Sequence, residues 1–527
     1  MKLKYILSFA LLGLVVAGCK KTWLDVNTNP SALPYSTPDY LFTAGANRTA
    51  AASRDPHELG AYWSGQWTYS STYIISTTIF SYQFNNTNFN YWDTWFDIVK
   101  DLQSSIDQAD GQGQPYMKGP ARLMKAYVMQ QIVDCYGNAP YTDAMKGLGS
   151  LTPAFDNQKA IYEDLVKQLD TAITDMRANV YQAPGSAADI IYVGTAKGNL
   201  INLIRFANSL KLRLLIRQSR ITGRDAYIIA EINKAAATTE GFLAAGQDVG
   251  VNPGYIASSG KMNPYYEQWG YNSSGGAQSL ARLPRPTKFL GDFLIATNDT
   301  FRLKKLAYAK GGESANTPGL SKIADPSVTN PAQPENVSNY VFVPYGIASG
   351  YSAPSTSYPG PGLIVKNQFS RPVYLLTAAE SFFLLAEAKQ RYGASITPAS
   401  TAQTYYETGV KESFRLTGTD PVAIPQTYPK ATILLTSGID LADWTASPDK
   451  LKTIWMQKWL AMVNYQGMEA WSEFRRTNFP NIPPSASAPV GQKLPVRLFY
   501  PSTESGSNPN VPTGIDVFNT RLFWDVD

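Results

Sequence analysis

Apolar residues recur along this chain at intervals of three and four, and the stripes they draw fall into pairs. Trp92, Trp95, Phe96, Val99, Leu102 and Ile106 form the first stripe, with Asp97, Lys100, Asp101 and Gln103 on the other side, which predicts an amphipathic helix ending near Gly111. Its partner takes Pro120 in its first turn and runs through Leu123, Tyr127, Gln130 and Ile132 to a natural stop at Gly137. The figure recurs. Tyr162, Leu165, Leu169, Ala172, Ile173 and Met176 precede Leu200, Leu203, Ile204, Ala207, Leu210 and Leu214, the latter inside Asn199 to Arg220. Tyr374, Leu375, Ala378, Phe382, Leu385 and Ala386 precede Ala402 to Leu416, and Leu451 to Tyr465 precedes Gly467 to Arg476. A further short helix is expected over Asp39 to Ala51, with Leu41, Phe42 and Ala46 on one face.

Four such pairs predict a mainly α fold of tetratricopeptide-like helical hairpins, an α-α superhelix, carrying a loop-rich lobe with a few short strands. The spacing between pairs is irregular, and periodicity alone also fits an irregular all-helical core. The frame covers about 89–220 and 373–477, and the lobe about 252–372, where Gly, Pro, Ser and Asn crowd around bursts such as Tyr265-Tyr266-Glu267-Gln268-Trp269 and Pro344-Tyr345. Trp63 to Asn88 shows no sustained helical period and reads as extended or loop structure, and a shorter turn-rich insert opens at Asp420-Pro421. Neither insert carries a second core pattern, so residues 19–527 are expected to form a single unit.

Residues 1–18 are expected to be removed. Lys2 and Lys4 precede an apolar run from Tyr5 to Val16, too short to span a bilayer, and Leu14-Val15-Val16-Ala17-Gly18-Cys19 has the form of a bacterial lipobox. Cys19 is the expected lipidation site, and several acyl chains on one residue anchor durably where a single chain does not. The other cysteine, Cys135, then has no intramolecular partner and reads as a buried small residue. Without Lys2 and Lys4 the formal charge falls from +5 to +3, with basic residues scattered rather than striped, so nucleic acid is not an expected partner.

Familiar catalytic arrangements fail on counting. The chain has 1 His, so His57-Glu58 lacks the second histidine of a zinc-protease helix, and neither a serine triad nor a Cys-His pair finds a plausible setting. Asp25, Asn27 and Asn29 open like a calcium loop, but Pro30 and Ser36 stand where glycine and a bidentate glutamate belong. No nucleotide-binding glycine loop is complete, and no cofactor or metal is expected. A glycosidase needs only two suitably spaced carboxylates. Glu380 and Glu387 are candidates by position, although a charged face or an interhelical ion pair explains them as well.

Aromatic residues are the unusual feature, since 13 of the 35 positions from Tyr62 to Phe96 carry one. Flat rings cover the C–H faces of sugars while amides and cations pair with their hydroxyls. Trp67, Tyr69, Tyr73, Tyr82 and Asn85, with Tyr265, Trp269, Tyr271 and Arg282, are therefore expected to form two walls of one glycan cleft, the alternative for each being ordinary packing.

Several stretches together carry a family resemblance: Asp25-Val26-Asn27-Thr28-Asn29-Pro30, Phe206-Ala207-Asn208-Ser209-Leu210-Lys211-Leu212-Arg213, Ala379-Glu380-Ser381-Phe382-Phe383-Leu384-Leu385-Ala386-Glu387-Ala388, Gly467-Met468-Glu469-Ala470-Trp471-Ser472-Glu473-Phe474-Arg475-Arg476-Thr477 and Pro495-Val496-Arg497-Leu498-Phe499-Tyr500-Pro501. The chain closely resembles the SusD/RagB family of outer-membrane nutrient-binding lipoproteins. The resemblance implies a non-catalytic, lipid-anchored protein at the cell surface, which sits on a SusC-like TonB-dependent transporter and helps capture ligand, usually glycan. It carries over no ligand-contacting residue, and peptide import by the same kind of lid is the alternative. Lys20-Lys21 depart from the acidic residues that surface-exported relatives carry after the cysteine.

Overall fold

The computed structural model describes residues 36–74, 76–310, 336–347, 349–360, 362–365, 367–420 and 427–526, so the lipobox and Cys19 lie outside the described residues. The apolar stripes become helices whose buried faces meet. Two helices open the described chain, α1 (Pro38–Ala52) and α2 (Arg54–Trp63), the first as expected and the second unforeseen. They lead into the first hairpin, α3 (Trp92–Gln108) and α4 (Lys118–Tyr136), then the second, α5 (Gln158–Ala178) and α6 (Leu200–Arg217), to which α7 (Asp225–Ala236) is added. Short helices α8 (Pro264–Trp269), α9 (Lys288–Ala296) and α10 (Thr300–Leu306) lie in the lobe. The third and fourth hairpins are α11 (Ala378–Tyr392) with α12 (Ala402–Leu416), and α13 (Lys450–Met462) with α14 (Gly467–Thr477).

Local chemistry sets the ends of these helices. The side chains of Asn157, Asn199, Thr377, Thr401 and Asp449 each accept from a backbone N–H in the first turn of the following helix, a cap of about 1 kcal/mol apiece. At the other end α4 stops on Gly137, whose φ of 79° a residue with a side chain rarely adopts. Because Thr377 caps α11, the preceding Tyr374 and Leu375 belong to a strand and not to the helical stripe the sequence suggested.

That strand joins a four-stranded antiparallel sheet. Counting strands along the chain as β1 (Trp67–Tyr69), β2 (Ile191–Val193), β3 (Ala196–Lys197), β4 (Val249–Val251), β5 (Pro284–Pro286) and β6 (Val373–Leu376), its order is β6-β4-β2-β3. Separately, β1 pairs antiparallel with β5, Trp67 opposite Pro286, which ties the early aromatic segment to the lobe. Between β1 and α3 the chain is largely irregular, as its pattern predicts.

Each helix of the frame packs on the next: α1 on α3, α3 on α4, α4 on α5, α5 on α6, α6 on α11, α11 on α12 and α13, and α13 on α14. Then α14 lies against α2, so the stack returns to where it began. At that crossing the backbones touch, because a Cβ on Gly60 would stand 2.4 Å from the carbonyl carbon of Gly467. The lobe is held from below. Leu290 and Leu294 of α9 and Leu303 and Leu306 of α10 share an apolar cluster with Met456, Trp459 and Leu460 of α13.

Candidate ligand-binding cleft

The two aromatic stretches singled out in the sequence do come together, but in the interior. His57, on α2, is the hub: its ring meets Trp67 at 5.3 Å, Tyr265 at 4.9 Å and Trp269 at 5.6 Å, centroid to centroid. Trp67 and Trp269 pack edge to face at 5.2 Å, and Tyr265 stacks on Trp269 at 5.4 Å. The Trp67 indole N–H donates to Asn464 Oδ1 at 2.8 Å. Tyr69 packs edge-on between Tyr62 and Phe80, and Tyr271 tilts against Tyr266. All five, Trp67, Tyr69, Tyr265, Trp269 and Tyr271, are buried as packing and present no open wall. Rings that fill an interior and rings that face a sugar have the same composition, so only tertiary contacts separate them. His57 itself is neutral, since burial pushes its imidazole down to about 3, and its Nδ1 accepts from the Gly467 N–H at 2.9 Å.

The other predicted residues lie elsewhere. Tyr73 is half-buried and Asn85 exposed, its Oδ1 accepting from the Thr87 N–H at 2.8 Å. The Arg282 backbone closes the 3₁₀ turn Ser279–Arg282, and its side chain lies outside the described residues. Tyr82, at φ 59°, turns its ring inward, and its hydroxyl donates to that of Tyr345 at 3.3 Å.

Tyr82 marks the place where segments from three distant parts of the chain interlock. Ser485 Oγ donates to the Phe80 carbonyl at 2.8 Å, the Ala486 N–H to the Tyr345 carbonyl at 2.9 Å, and Thr68 Oγ1 to the Gly346 carbonyl at 2.8 Å. Beside this junction opens a cleft of about 410 Å³. Half-buried Phe474 and Phe518 present its ring faces, Trp63, Tyr82 and Tyr345 lie buried behind them, and Asn478, Gln492, Lys493, Arg475 and Arg521 supply its polar groups. Burial pushes the Tyr82 hydroxyl up to about 12, so it remains a protonated donor and acceptor at neutral pH.

Arg475 projects from α14, and its guanidinium lies 3.6 Å above the centre of the Trp471 ring. Trp471 and Arg475 thus pack on each other, and Arg476 and Glu473 pair in the interior. Sequence reasoning missed Phe518, Gln492, Lys493 and Arg521 as one group. Tyr82, among the predicted contacts, and the Pro344-Tyr345 burst signalled the place, but residues about four hundred positions apart meet there only through tertiary packing. Chemically the cleft offers ring faces with hydroxyl, amide and cationic donors beside them, the complement of a polyhydroxylated ligand.

Comparison with curated proteins returns no match. Among solved structures the chain is similar to a SusD/RagB family protein of Bacteroides thetaiotaomicron, at 20% identity and TM-score 0.72, covering 93% of this chain and 99% of that one. It is similar to a SusD homologue of Bacteroides fragilis, at 21% identity and TM-score 0.71 over 93% and 99% of the two chains. A chitin-binding SusD homologue of Flavobacterium johnsoniae aligns at 22% identity and TM-score 0.67, over 93% and 98%. The SusD-like family model, described as starch-binding and associating with the outer membrane, matches residues 35–501. With that match running from before α1 to beyond α14, the chain belongs to the SusD-like family.

Proposed function

We propose that this protein captures a glycan at the outer membrane without altering it and passes it to a TonB-dependent transporter, held in place by acyl chains on Cys19. The observation that carries the reading is the cleft of about 410 Å³, where ring faces and hydrogen-bond donors stand side by side. Its size falls within the range of about 300–1,000 Å³ usual for small-ligand sites. Family membership supports a binding role at the outer membrane, and one structural neighbour is a chitin-binding protein. Of the residues named from sequence, Tyr82 alone lines this cleft and is the proposed ligand contact, beside Phe518, Gln492 and Lys493. The buried set around His57 holds the loops that carry them.

Titration calorimetry of the soluble mature chain against neutral and acidic oligosaccharides tests this. Binding is expected, and Phe518→Ala together with Gln492→Ala is expected to weaken it with no release of reducing sugar. Binding to peptides alone overturns the glycan assignment, and sugar release overturns the non-catalytic one. The Cys19→Ala protein is expected to leave the membrane fraction.

A further inference from the structure

Buried arginines in this fold usually meet a carboxylate: Arg213 meets Glu380, Arg217 meets Glu469 and Arg476 meets Glu387. Arg475 does not. It is 4% exposed, and its Nη1 donates to the carbonyls of Asp134 at 2.8 Å and Val496 at 2.9 Å, while Nη2 donates to Ser472 Oγ at 2.9 Å. No carboxylate among the described residues lies within ion-pair distance of it. The indoles of Trp471 at 3.6 Å and Trp524 at 5.0 Å, with the carboxylates of Asp134 and Asp525 beyond ion-pair distance, supply only a partial counter-field. A buried cation without an anionic partner is costly, and it leaves a positive potential in the space it faces.

That space is the cleft. Two more cations stand on it: Lys493, exposed and with no carboxylate partner among the described residues, and Arg521, which gives one arm of its fork to Asp525 Oδ1 at 2.5 Å. Three cationic side chains therefore face one carboxylate around the ring-lined surface. We infer that the cleft selects an anionic glycan, one whose sugar carries a carboxylate or a sulfate. Arg521 and Lys493 contact the anionic group, and Arg475 holds the field behind them. This rests on the glycan reading above and narrows it to a substrate class.

Calorimetry with oligogalacturonides beside the same chains reduced at their carboxyls, and with sulfated galactan oligosaccharides beside desulfated ones, tests the inference. An acidic chain is expected to bind at least about tenfold more tightly than its neutral counterpart, since hydrogen bonds to a charged group are stronger than those between neutral groups. The advantage is expected to fall with added salt and to disappear in the Lys493→Gln/Arg521→Gln double variant, whose circular dichroism and melting temperature report whether the fold is intact. The pair of probes that shows the advantage tells carboxylate from sulfate. Equal affinity for charged and neutral chains overturns the anionic assignment, an advantage that survives the double variant overturns its placement on Lys493 and Arg521, and both leave glycan capture standing. Binding to no oligosaccharide at all overturns both.

Discussion

Arg213 on α6 and Glu380 on α11 meet in the interior as a two-point pair, Nε to Oε1 at 2.6 Å and Nη2 to Oε2 at 2.7 Å, each side chain 1% exposed. Glu387, two turns further along α11, makes the same kind of pair with Arg476. Both carboxylates that the sequence offers to a glycosidase are therefore engaged as interhelical ties. Removing one member of such a pair strands a buried charge at about 3–5 kcal/mol. Glu380→Gln is expected to cost that much in urea unfolding, whereas Arg213→Met with Glu380→Leu is expected to cost less than the single change. A loss under about 1 kcal/mol for Glu380→Gln contradicts this account.

His57 gives the chain a pH response that can be isolated, since the protein has 1 His. Burial holds it at about 3 in the folded state, against an ordinary value of 6.5. The unfolded chain therefore binds a proton that the folded one excludes. Its contribution is complete above about pH 6.5 and is lost as pH falls toward about 3, at up to about 1.4 kcal/mol per pH unit. His57→Gln, which keeps an acceptor for the Gly467 N–H, is expected to flatten the stability profile by that slope between about pH 6 and 4. An unchanged slope contradicts the burial of a neutral ring.

Asp189 works with the opposite sign. Burial pushes its carboxyl up to about 7, against the Ile191 N–H that Oδ1 accepts at 2.8 Å. A raised carboxyl costs nothing below its unfolded value near 4, and it destabilises progressively as pH climbs to about 7. Asp189→Asn is expected to match the parent protein near pH 4 and to exceed it in stability at pH 8. Parallel denaturation curves at the two pH values refute the shift.

Where α14 crosses α2, the contact between Gly60 and Gly467 leaves no room for a methyl group. Overpacking of this kind costs about 1–3 kcal/mol, and more where backbone must move. Gly60→Ala is expected to lower the melting temperature, while alanine at Gly223, where nothing lies within 4 Å, meets only the strain of φ +81°. If the two variants melt together, the close crossing is not what limits stability there.

Frame and site were unequally legible. The bounds of α12 come directly from its period and from the Thr401 cap, and the four hairpins were readable because each stripe is long. Helix α7 buries only Ile228, Ile232 and Ala235, and α10 has seven residues, too few positions for a period to stand out. Tyr374 and Leu375 misled because an apolar strand runs straight into an apolar helix, although Thr377 and Glu380 have the spacing that separates them. In the site, the clustering of aromatics was visible, but which rings face outward was not. The interlock of segments near residues 82, 345 and 485 is made by bonds that no local pattern encodes.

An array of helical hairpins whose ends never meet can shed its outer units one by one. Here the second helix and the fourteenth close on each other, so there is no terminal unit to shed. The protein is accordingly expected to melt in one transition, and cutting the chain before Gly467 is expected to unlatch the whole ring of helices. That closure means a pull on one part is shared around the circle.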